Sequence, residues 1–426
     1  MIQRRTFLLG SSAAAAAAVL TACGAEGGGA SNGGSDTLRF MWWGNAGRAE
    51  RTEKAIGAFT TSKPDLKVQT EFLDWTGYWD KLSTQMAGGN PPDLLQMSEA
   101  YQGQYMANDS LLDLRSLIDG GTIDVSSFGE GALAPDGPIT GIPWAVNTRC
   151  ALSTAEALER AGIDPETDLG SLSWDQYGDF LSNATDAAGI PGSVDPGFWI
   201  ENLELWLIQQ GKSLYGEGTA GFSEEDLLRF WEMTLGWAEA GIVTDASTSS
   251  RQAGGGTELA ALVTQEATID YRWSTEIVVF DGLGVKNLQI LTPPGESAGA
   301  GRFLHPAMLL SISSKSENQE RAAELLSFLV SSPEAATHLG MDRGAPASSA
   351  AAQALTGSLS EAEKALIAYH EAASGKLAPT PRVVPPGGGE MLTTYTRTYE
   401  SVAFGREDKA KAAADFVAQM SNVASA

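Results

Sequence analysis

Segments rich in β-forming residues alternate with helical segments along most of this chain, and this alternation limits the fold more than any other feature. In chain order, the predicted strands lie at 37–43, 67–73, 93–97, 268–273, 288–291 and 308–314. Strands that alternate with helices are typical of α/β architecture with mainly parallel sheets. No repeat of about 20–50 residues occurs, so a solenoid is not supported.

The predicted helices carry explicit start signals. A serine followed three residues later by Glu, Gln or Asp can satisfy the free N–H groups of a first helical turn. Such pairs begin at Ser153, Ser173, Ser223, Ser316 and Ser360, and the pair Ser332-Pro333 begins a further short helix.

The distribution of these elements indicates that one domain interrupts another. Residues 152–237 are mostly helical, whereas the predicted strands cluster on either side of this region. Breaks rich in Pro and Gly mark three places where the chain could cross between domains. These breaks lie at 141–147, 292–301 and 344–346.

Charge and the scarcity of cysteine and histidine argue against several classes of protein. The chain has 28 Lys+Arg and 53 Asp+Glu, which gives a formal net charge of −25. A nucleic-acid partner is disfavoured, because phosphate binding needs clustered Lys and Arg. With 2 Cys and 3 His, the chain offers little for a Cys-rich or a His-based metal centre. We therefore expect no metal and no cofactor, and a His-dependent catalytic triad has few candidates.

The amino terminus has the features of an export signal rather than of a folded segment. A twin-arginine pair at 4–5 precedes an Ala-rich apolar run that is short for a transmembrane helix of about 20 residues. The run ends in the sequence LTAC at 20–23, which resembles a bacterial lipobox. We predict a signal peptide at 1–22, a lipidated Cys23 and a flexible tether over 23–35. The alternative is an ordinary secretory signal in which Cys23 is incidental.

Several short segments match one protein family in their order and spacing. They are LRFMWWGN at 38–45, WTGYWDKL at 75–82, AGGNPPD at 87–93, GIPWAVNT at 141–148, QEATIDYRW at 265–273 and GAP at 344–346. With the lipobox and the Gly-rich tether, they make the chain resemble the family 1 extracellular solute-binding proteins of carbohydrate ABC importers, the group that contains maltose-binding protein.

This resemblance implies a type II periplasmic-binding-protein-like fold, in which two α/β lobes are joined by three crossing segments and bind one ligand in the cleft between them. The three breaks fall where that scheme requires crossings. Lobe 1 is then expected at 36–147 and 300–343, and lobe 2 at 148–299 and 344–426.

A sugar presents two kinds of surface to such a cleft. Its C–H faces stack on aromatic rings, and its hydroxyl groups call for planar polar side chains. In open α/β sheets the ligand crevice lies at the ends of the strands. On these grounds, and from matching family positions, the predicted ligand-binding residues are Trp43, Gly44, Asn45, Arg48, Glu99, Tyr101, Trp144, Asn147, Trp199, Glu201, Arg272, Trp273, His305, Arg343, Gly387 and Gly388.

Each of these residues also has a structural interpretation. Adjacent strand residues face opposite ways, so at least one of Trp42 and Trp43 is expected to point into a core. Trp144 and Asn147 could merely pack the hinge, and Arg272 could form an interlobe salt bridge. Trp273 is the strongest candidate for an aromatic platform, because it follows a predicted strand and matches a family position that often brings an aromatic ring to the cleft.

The function implied by the resemblance is capture of a mono- or oligosaccharide and its delivery to a membrane permease. The protein is expected to be a non-enzymatic monomer, lipid-anchored on the extracellular face of a bacterial membrane. Its partners would be the transmembrane subunits of an ABC permease. The ATPase would be a separate subunit, since the chain contains no GxxxxGK[ST] motif.

Two other functions remain open from the sequence. A secreted carbohydrate hydrolase or lyase would need paired carboxylates across a cleft, for which Asp93 and Glu99 are candidates. A binder of a cationic peptide or polyamine would need an acidic cleft without aromatic stacking. The sugar itself is not identified, and Arg272, Arg302 and Arg343 leave acidic sugars open.

Overall fold

A computed structural model describes residues 37–129, 132–133, 137–295, 302–357, 359–373, 377–378 and 383–425. The predicted signal peptide, Cys23 and the tether lie outside the described residues and stay predictions. No helix in the described part of the chain is long and apolar enough to cross a membrane.

The described residues contain strands in two sheets. The strands are β1 (Thr37–Trp43), β2 (Lys67–Leu73), β3 (Leu94–Met97), β4 (Ile142–Asn147), β5 (Arg149–Thr154), β6 (Asp270–Trp273), β7 (Leu288–Leu291), β8 (His305–Ile312) and β9 (Ala345–Pro346). One sheet has the order β2-β1-β3-β8-β4-β9, and the other has the order β6-β5-β7. All six predicted strands are present, with ends displaced by up to three residues.

The prediction of mainly parallel sheets is wrong. Strand β1 is parallel to β2 and β3, but every other pairing is antiparallel. The reason is the return of β8 from a distant part of the chain. It enters the first sheet between β3 and β4 and runs against both of them, so these pairings do not come from successive strand–helix–strand units.

Strands β4 and β5 are absent from the sequence prediction, which interpreted residues 141–147 as a crossing. Pro143 lacks a backbone donor and normally disfavours a strand interior. Here the register of β4 against β8 shifts between Pro143 and Ala145, and such an irregularity accommodates the proline. The chain then passes from one sheet to the other through the single buried residue Thr148.

Helices surround both sheets. They are α1 (Ala46–Thr61), α2 (Trp75–Ala87), α3 (Glu99–Ala107), α4 (Arg115–Asp119), α5 (Ala155–Arg160), α6 (Trp174–Ala188), α7 (Ile200–Gln209), α8 (Glu224–Glu239), α9 (Ala246–Gly254), α10 (Ala261–Thr264), α11 (Glu276–Gly282), α12 (Gln319–Ser331), α13 (Pro333–Leu339), α14 (Ser349–Leu355), α15 (Glu361–Ala373), α16 (Gly388–Ala403) and α17 (Lys409–Ala424).

Most of the predicted helix starts are confirmed. Ser173 and Ser223 form reciprocal capping boxes at α6 and α8, and Ser332 caps α13. Two predicted starts are displaced. Thr154 rather than Ser153 caps α5, and α12 begins only after Asn318. The Ser316 hydroxyl accepts from the backbone N–H of Asn318 (3.0 Å), before the helix, and donates to the Asp93 carboxylate (2.6 Å).

The hydrophobic cores follow the two sheets. Trp42 is fully buried in the core of the six-stranded sheet, beside Phe40. Strand β9 pairs with β4 in that same sheet, so the sheet extends beyond the predicted lobe boundary after residue 343. All of the predicted lobe boundaries stay predictions.

Asp195, which lies between β5 and β6 in the sequence and whose carboxyl group is buried, should make the stability of the protein depend on pH. Asp195 accepts hydrogen bonds from the backbone N–H of Gly197 (2.8 Å) and the Tyr399 hydroxyl (3.1 Å). Burial raises the pKa of Asp195 to about 7, although these two hydrogen bonds oppose the shift. The folded state therefore holds this proton more tightly than the unfolded state does. The stability that the proton contributes is fully present below pH 3.8 and is lost as pH rises through 7.

Replacement of Asp195 by asparagine should flatten this pH dependence, because an amide does not ionise. Melting temperatures at pH 5 and pH 8 would measure it, and we expect a smaller decrease for Asp195→Asn than for the unmodified protein. Asp175→Asn, at an exposed position on α6, is the control. An unchanged pH profile in Asp195→Asn would show that this carboxyl does not carry the effect.

Candidate functional site

A cavity of about 230 Å³ lies between the ends of strands from the two sheets. Ser98–Ala100, directly after β3, and His305, at the start of β8, form one side. Trp273, at the end of β6, and the face of α7 form the other. Leu214, Tyr215, Val384 and the first turn of α16 complete the wall. This is the strand-end position at which α/β sheets commonly bind ligands.

An ion pair joins two elements on the six-stranded side of the cavity. The Glu99 carboxylate contacts Nε2 of His305. Burial by itself would lower the pKa of His305, but the negative charges of Glu99, Glu204 and Glu201 outweigh it and hold the pKa above 6.5. The negative charge of Glu99 therefore shifts this imidazole toward its protonated form.

Glu204 is the most strongly perturbed carboxyl on the wall. Burial raises its pKa to about 8, and the charges of Glu99 and Glu201 add to this shift, while His305 and Arg149 oppose it. None of the described residues donates a hydrogen bond to the Glu204 carboxyl. Without a ligand, this group is therefore predominantly protonated at neutral pH.

Trp273 is fixed by its neighbours. The guanidinium of Arg149 lies 5.0 Å from the centroid of its ring, and the ring of His305 lies 4.5 Å away. Arg149 is itself buried and donates to the Asn202 side chain (2.6 Å). Trp273 remains partly exposed on the cavity wall, which is the arrangement that a stacking platform requires.

The structure brings five of the predicted site residues to this wall: Glu99, Glu201, Trp273, His305 and Gly388. Gly388 has a specific reason to be glycine. A Cβ there would lie 2.4 Å from a methyl carbon of Val384 and 2.9 Å from the Tyr215 hydroxyl. Any larger residue would therefore push apart two elements of the wall.

The predicted aromatic residues near the amino terminus lie elsewhere. Trp43 is buried against the rings of Trp75, Tyr78 and Trp79. Tyr101 stacks on Trp79 with a centroid distance of 4.1 Å. These rings form an aromatic cluster of α2 with Trp43 and Tyr101, and none of them is among the described residues that line the cavity.

Three predicted residues between the end of β1 and the first turn of α1 make contacts within the protein. Asn45 caps α1 by accepting from the backbone N–H of Arg48. Arg48 turns toward Asp342, with which it forms an ion pair of 2.6 Å, and its side chain covers Gly44. None of the three lines the cavity.

Two other predicted residues pack within the six-stranded core. Trp144 is buried, and its indole N–H donates to the carbonyl of Leu329 (3.1 Å). The guanidinium of Arg343 lies 3.8 Å from the centroid of that indole ring and donates to Thr52. Burial lowers the pKa of Arg343 well below its usual value.

The remaining predicted residues lie in or beside the three-stranded sheet, at the passage from β4 to β5, or at the start of α16. Arg272 pairs with Asp270 and Glu276, so its salt bridges stay within β6 and α11 rather than joining the lobes. Trp199 lies 5.8 Å from the Arg272 guanidinium. Asn147 accepts from Ser274 and Thr275, beside the passage from β4 to β5. Gly387 caps α16 with φ of 82°. A ligand contact by any of these four stays a prediction.

Sequence reasoning missed Glu204, Tyr215, Val384, Gly389 and Leu392 on the wall. Only Glu204 has a signal in the sequence. It lies three residues after Glu201, and on a helix this spacing places both side chains on one face. The other four come from segments whose approach to the cavity depends on tertiary packing.

Comparison with known proteins identifies the family. Residues 54–368 match the family model described as bacterial extracellular solute-binding protein. The chain belongs to this family. The predicted resemblance and the α/β solute-binding fold are thus confirmed.

Solved structures similar to this solute-binding protein cover nearly the whole chain. A family 1 extracellular solute-binding protein from Alicyclobacillus acidocaldarius is 27% identical, with a TM-score of 0.76 over 92% of this chain and 98% of the other. An oligogalacturonide-binding protein from Yersinia enterocolitica is 21% identical, with a TM-score of 0.76 over 91% and 98%. The second likeness concerns the fold alone.

A curated relative adds a weaker match. An uncharacterised lipoprotein from Streptomyces antibioticus is 27% identical over 134 residues, which are 30% of this solute-binding protein. The match spans only 28% of the length of that lipoprotein.

Proposed function

We propose that this solute-binding protein captures a short saccharide in the cavity lined by Trp273 and delivers it, unaltered, to the permease of an ABC transporter. The observation that carries the proposal is the composition of the wall. An indole ring, a phenol, three carboxyl groups and an imidazole surround one small space. An aromatic face with several fixed polar groups suits a ring that has apolar C–H faces and many hydroxyls.

Capture requires the two sides of the cavity to act together. Glu99 and His305 belong to the six-stranded side, whereas Trp273 and Glu204 belong to the other. A ligand that contacts both sides favours a closed arrangement by its differential affinity for that state. The closed form would then be the one that the permease recognises.

Attachment to the membrane is part of this proposal. Acylation of Cys23 would hold the folded body near its permease, and the Gly-rich tether would give it reach. The partial match to a lipoprotein supports this location. We expect the mature protein to act as a monomer.

Of the two carboxylates that a hydrolase would be expected to use, Asp93 does not face the cavity. Asp93 accepts from the backbone N–H of Arg39 (2.8 Å) and from Ser316, and it does not line the cavity. Its arrangement suits a structural clamp between β1 and the start of α12. Glu99, the other candidate, is paired with His305.

A thermal-shift screen of the mature protein tests the proposal. Ligands that bind only the folded state raise the melting temperature. The panel would contain neutral, amino and uronic mono- and oligosaccharides, and each mixture would be analysed for products. We expect at least one saccharide to raise the melting temperature and to be recovered intact. Turnover would favour the enzyme hypothesis, and no shift with any saccharide would overturn the proposed function.

A further inference from the structure

The charges on the cavity wall are unbalanced. Glu99, Glu201 and Glu204 face the cavity together with His305, and no Lys or Arg belongs to the described wall. The imidazole is already paired with Glu99. Two carboxyl groups of α7 therefore have no cation on the wall to pair with.

The position of these two groups on α7 is itself unfavourable. Residues three apart on a helix are neighbours, so an ionised carboxyl group at one position makes ionisation of a carboxyl group at the other less favourable. Glu201 and Glu204 both turn toward a confined space in which water screens them poorly. Glutamine at either position would offer hydrogen bonds to sugar hydroxyls without this cost, whereas two carboxyl groups also offer a site for a cation.

We infer that the saccharide captured in this cavity carries a protonated amine, so that its ligand class is the amino sugars. The inference rests on the proposed function and specifies its ligand. An ammonium group between Glu201 and Glu204 would supply the missing cation, and the sugar ring would stack on Trp273. A polyamine would satisfy the carboxylates but would leave the indole face without a matching surface.

The same arrangement disfavours a uronic acid. The four arginines that could bind its carboxylate lie off the wall. Arg149 lies against the Trp273 ring and donates to Asn202, and Arg272 is paired with Asp270 and Glu276. Arg302 lies over the Tyr369 ring, and Arg343 over the Trp144 ring. An acidic sugar would meet three carboxyl groups on the described wall, where the imidazole of His305 is already paired with Glu99.

Binding of an amine should also change the protonation of Glu204. Because the pKa of Glu204 is raised to about 8, this group is mostly protonated at pH 7 in the free protein. An ammonium group beside it favours the carboxylate, so binding at pH 7 should release up to one proton. The other charged or titratable groups near it are Glu99, Glu201, the paired His305, the guanidinium of Arg149 behind Trp273, and Tyr215, whose pKa is also raised by burial.

Calorimetric titration with matched sugars tests the inference. The probes are glucosamine oligosaccharides and the same chains N-acetylated, which keep the ring and the linkage but lose the charge. Cellobiose, digalacturonate and spermidine complete the set. We expect the amine form to bind at least about tenfold more tightly than the acetylated form. Titrations in buffers of different ionisation enthalpy should detect the released proton.

Two variants assign the effect to the cavity. Glu204→Gln should lose most of the difference in affinity between the amine and the acetylated form, and it should lose the proton release. Glu239→Gln removes an exposed carboxylate from α8 and is the control for net charge. Melting temperatures of both variants establish that they are folded.

The outcomes separate the two proposals. Neutral or acidic sugars that bind as tightly as the amine form would overturn the inference and leave saccharide capture intact. Binding of spermidine without any saccharide would overturn both. A preference for the amine that persists in Glu204→Gln would also contradict the inference.

Discussion

Replacement of Trp273 by alanine is expected to weaken saccharide binding at least about tenfold. Trp273 lines the cavity and is held in place by Arg149 and His305, so its ring is ready to stack before the ligand arrives. Truncation of a well-packed aromatic contact commonly costs more than about 1 kcal/mol of binding free energy. Isothermal titration with the saccharide that gives the largest thermal shift would measure the change.

The control for this prediction is Trp273→Phe, which keeps an aromatic face and should retain most of the affinity. The melting temperature of the unliganded alanine variant should change little, since the ring is partly exposed. Unchanged affinity in Trp273→Ala would remove this residue from the binding site.

Replacement of Gly197 by alanine is expected to reduce the free energy of unfolding by about 1–3 kcal/mol or more. A Cβ at this position would lie 2.1 Å from Cζ of Tyr399. That ring cannot easily move aside, because its hydroxyl group is hydrogen-bonded to the Asp195 carboxyl group and to the Thr234 hydroxyl group (2.7 Å between the two hydroxyl oxygens). Chemical denaturation monitored by circular dichroism would measure the loss.

A matched substitution isolates the steric cause. Gly236 lies in the exposed face of α8, and a Cβ there meets no other atom within 4 Å. Gly236→Ala should leave stability unchanged or raise it by about 0.5–1 kcal/mol, since alanine favours a helix interior over glycine. Equal effects of the two substitutions would contradict the close contact between Gly197 and Tyr399.

Local patterns in the sequence predicted six of the nine strands in the described residues and the starts of a minority of the helices there. Strand β1 and the capping boxes at Ser173 and Ser223 could be predicted because they depend on residue types at short spacings. The direction of pairing was not predictable in this way. Strand β8 is antiparallel to its neighbours because of the path by which it returns, and no residue within β8 encodes that path.

In the candidate site, too, local sequence identified suitable residue types, but tertiary packing decides which of them reach the cavity. Trp43 and Trp273 are both tryptophans at the end of a strand, yet only Trp273 reaches the cavity. The difference is what covers each ring. Residues of α2 pack over Trp43, whereas the face beside Trp273 is left open between the two sheets. A single sequence does not report which helix covers which strand end.

A crystal structure of the mature protein with the saccharide that gives the largest thermal shift tests the central claim most directly. We predict that one sugar ring lies against the indole of Trp273, with its polar groups within hydrogen-bonding distance of Glu99, Glu204 or both. A saccharide bound elsewhere on the protein, with this cavity free of it, would contradict the proposed site.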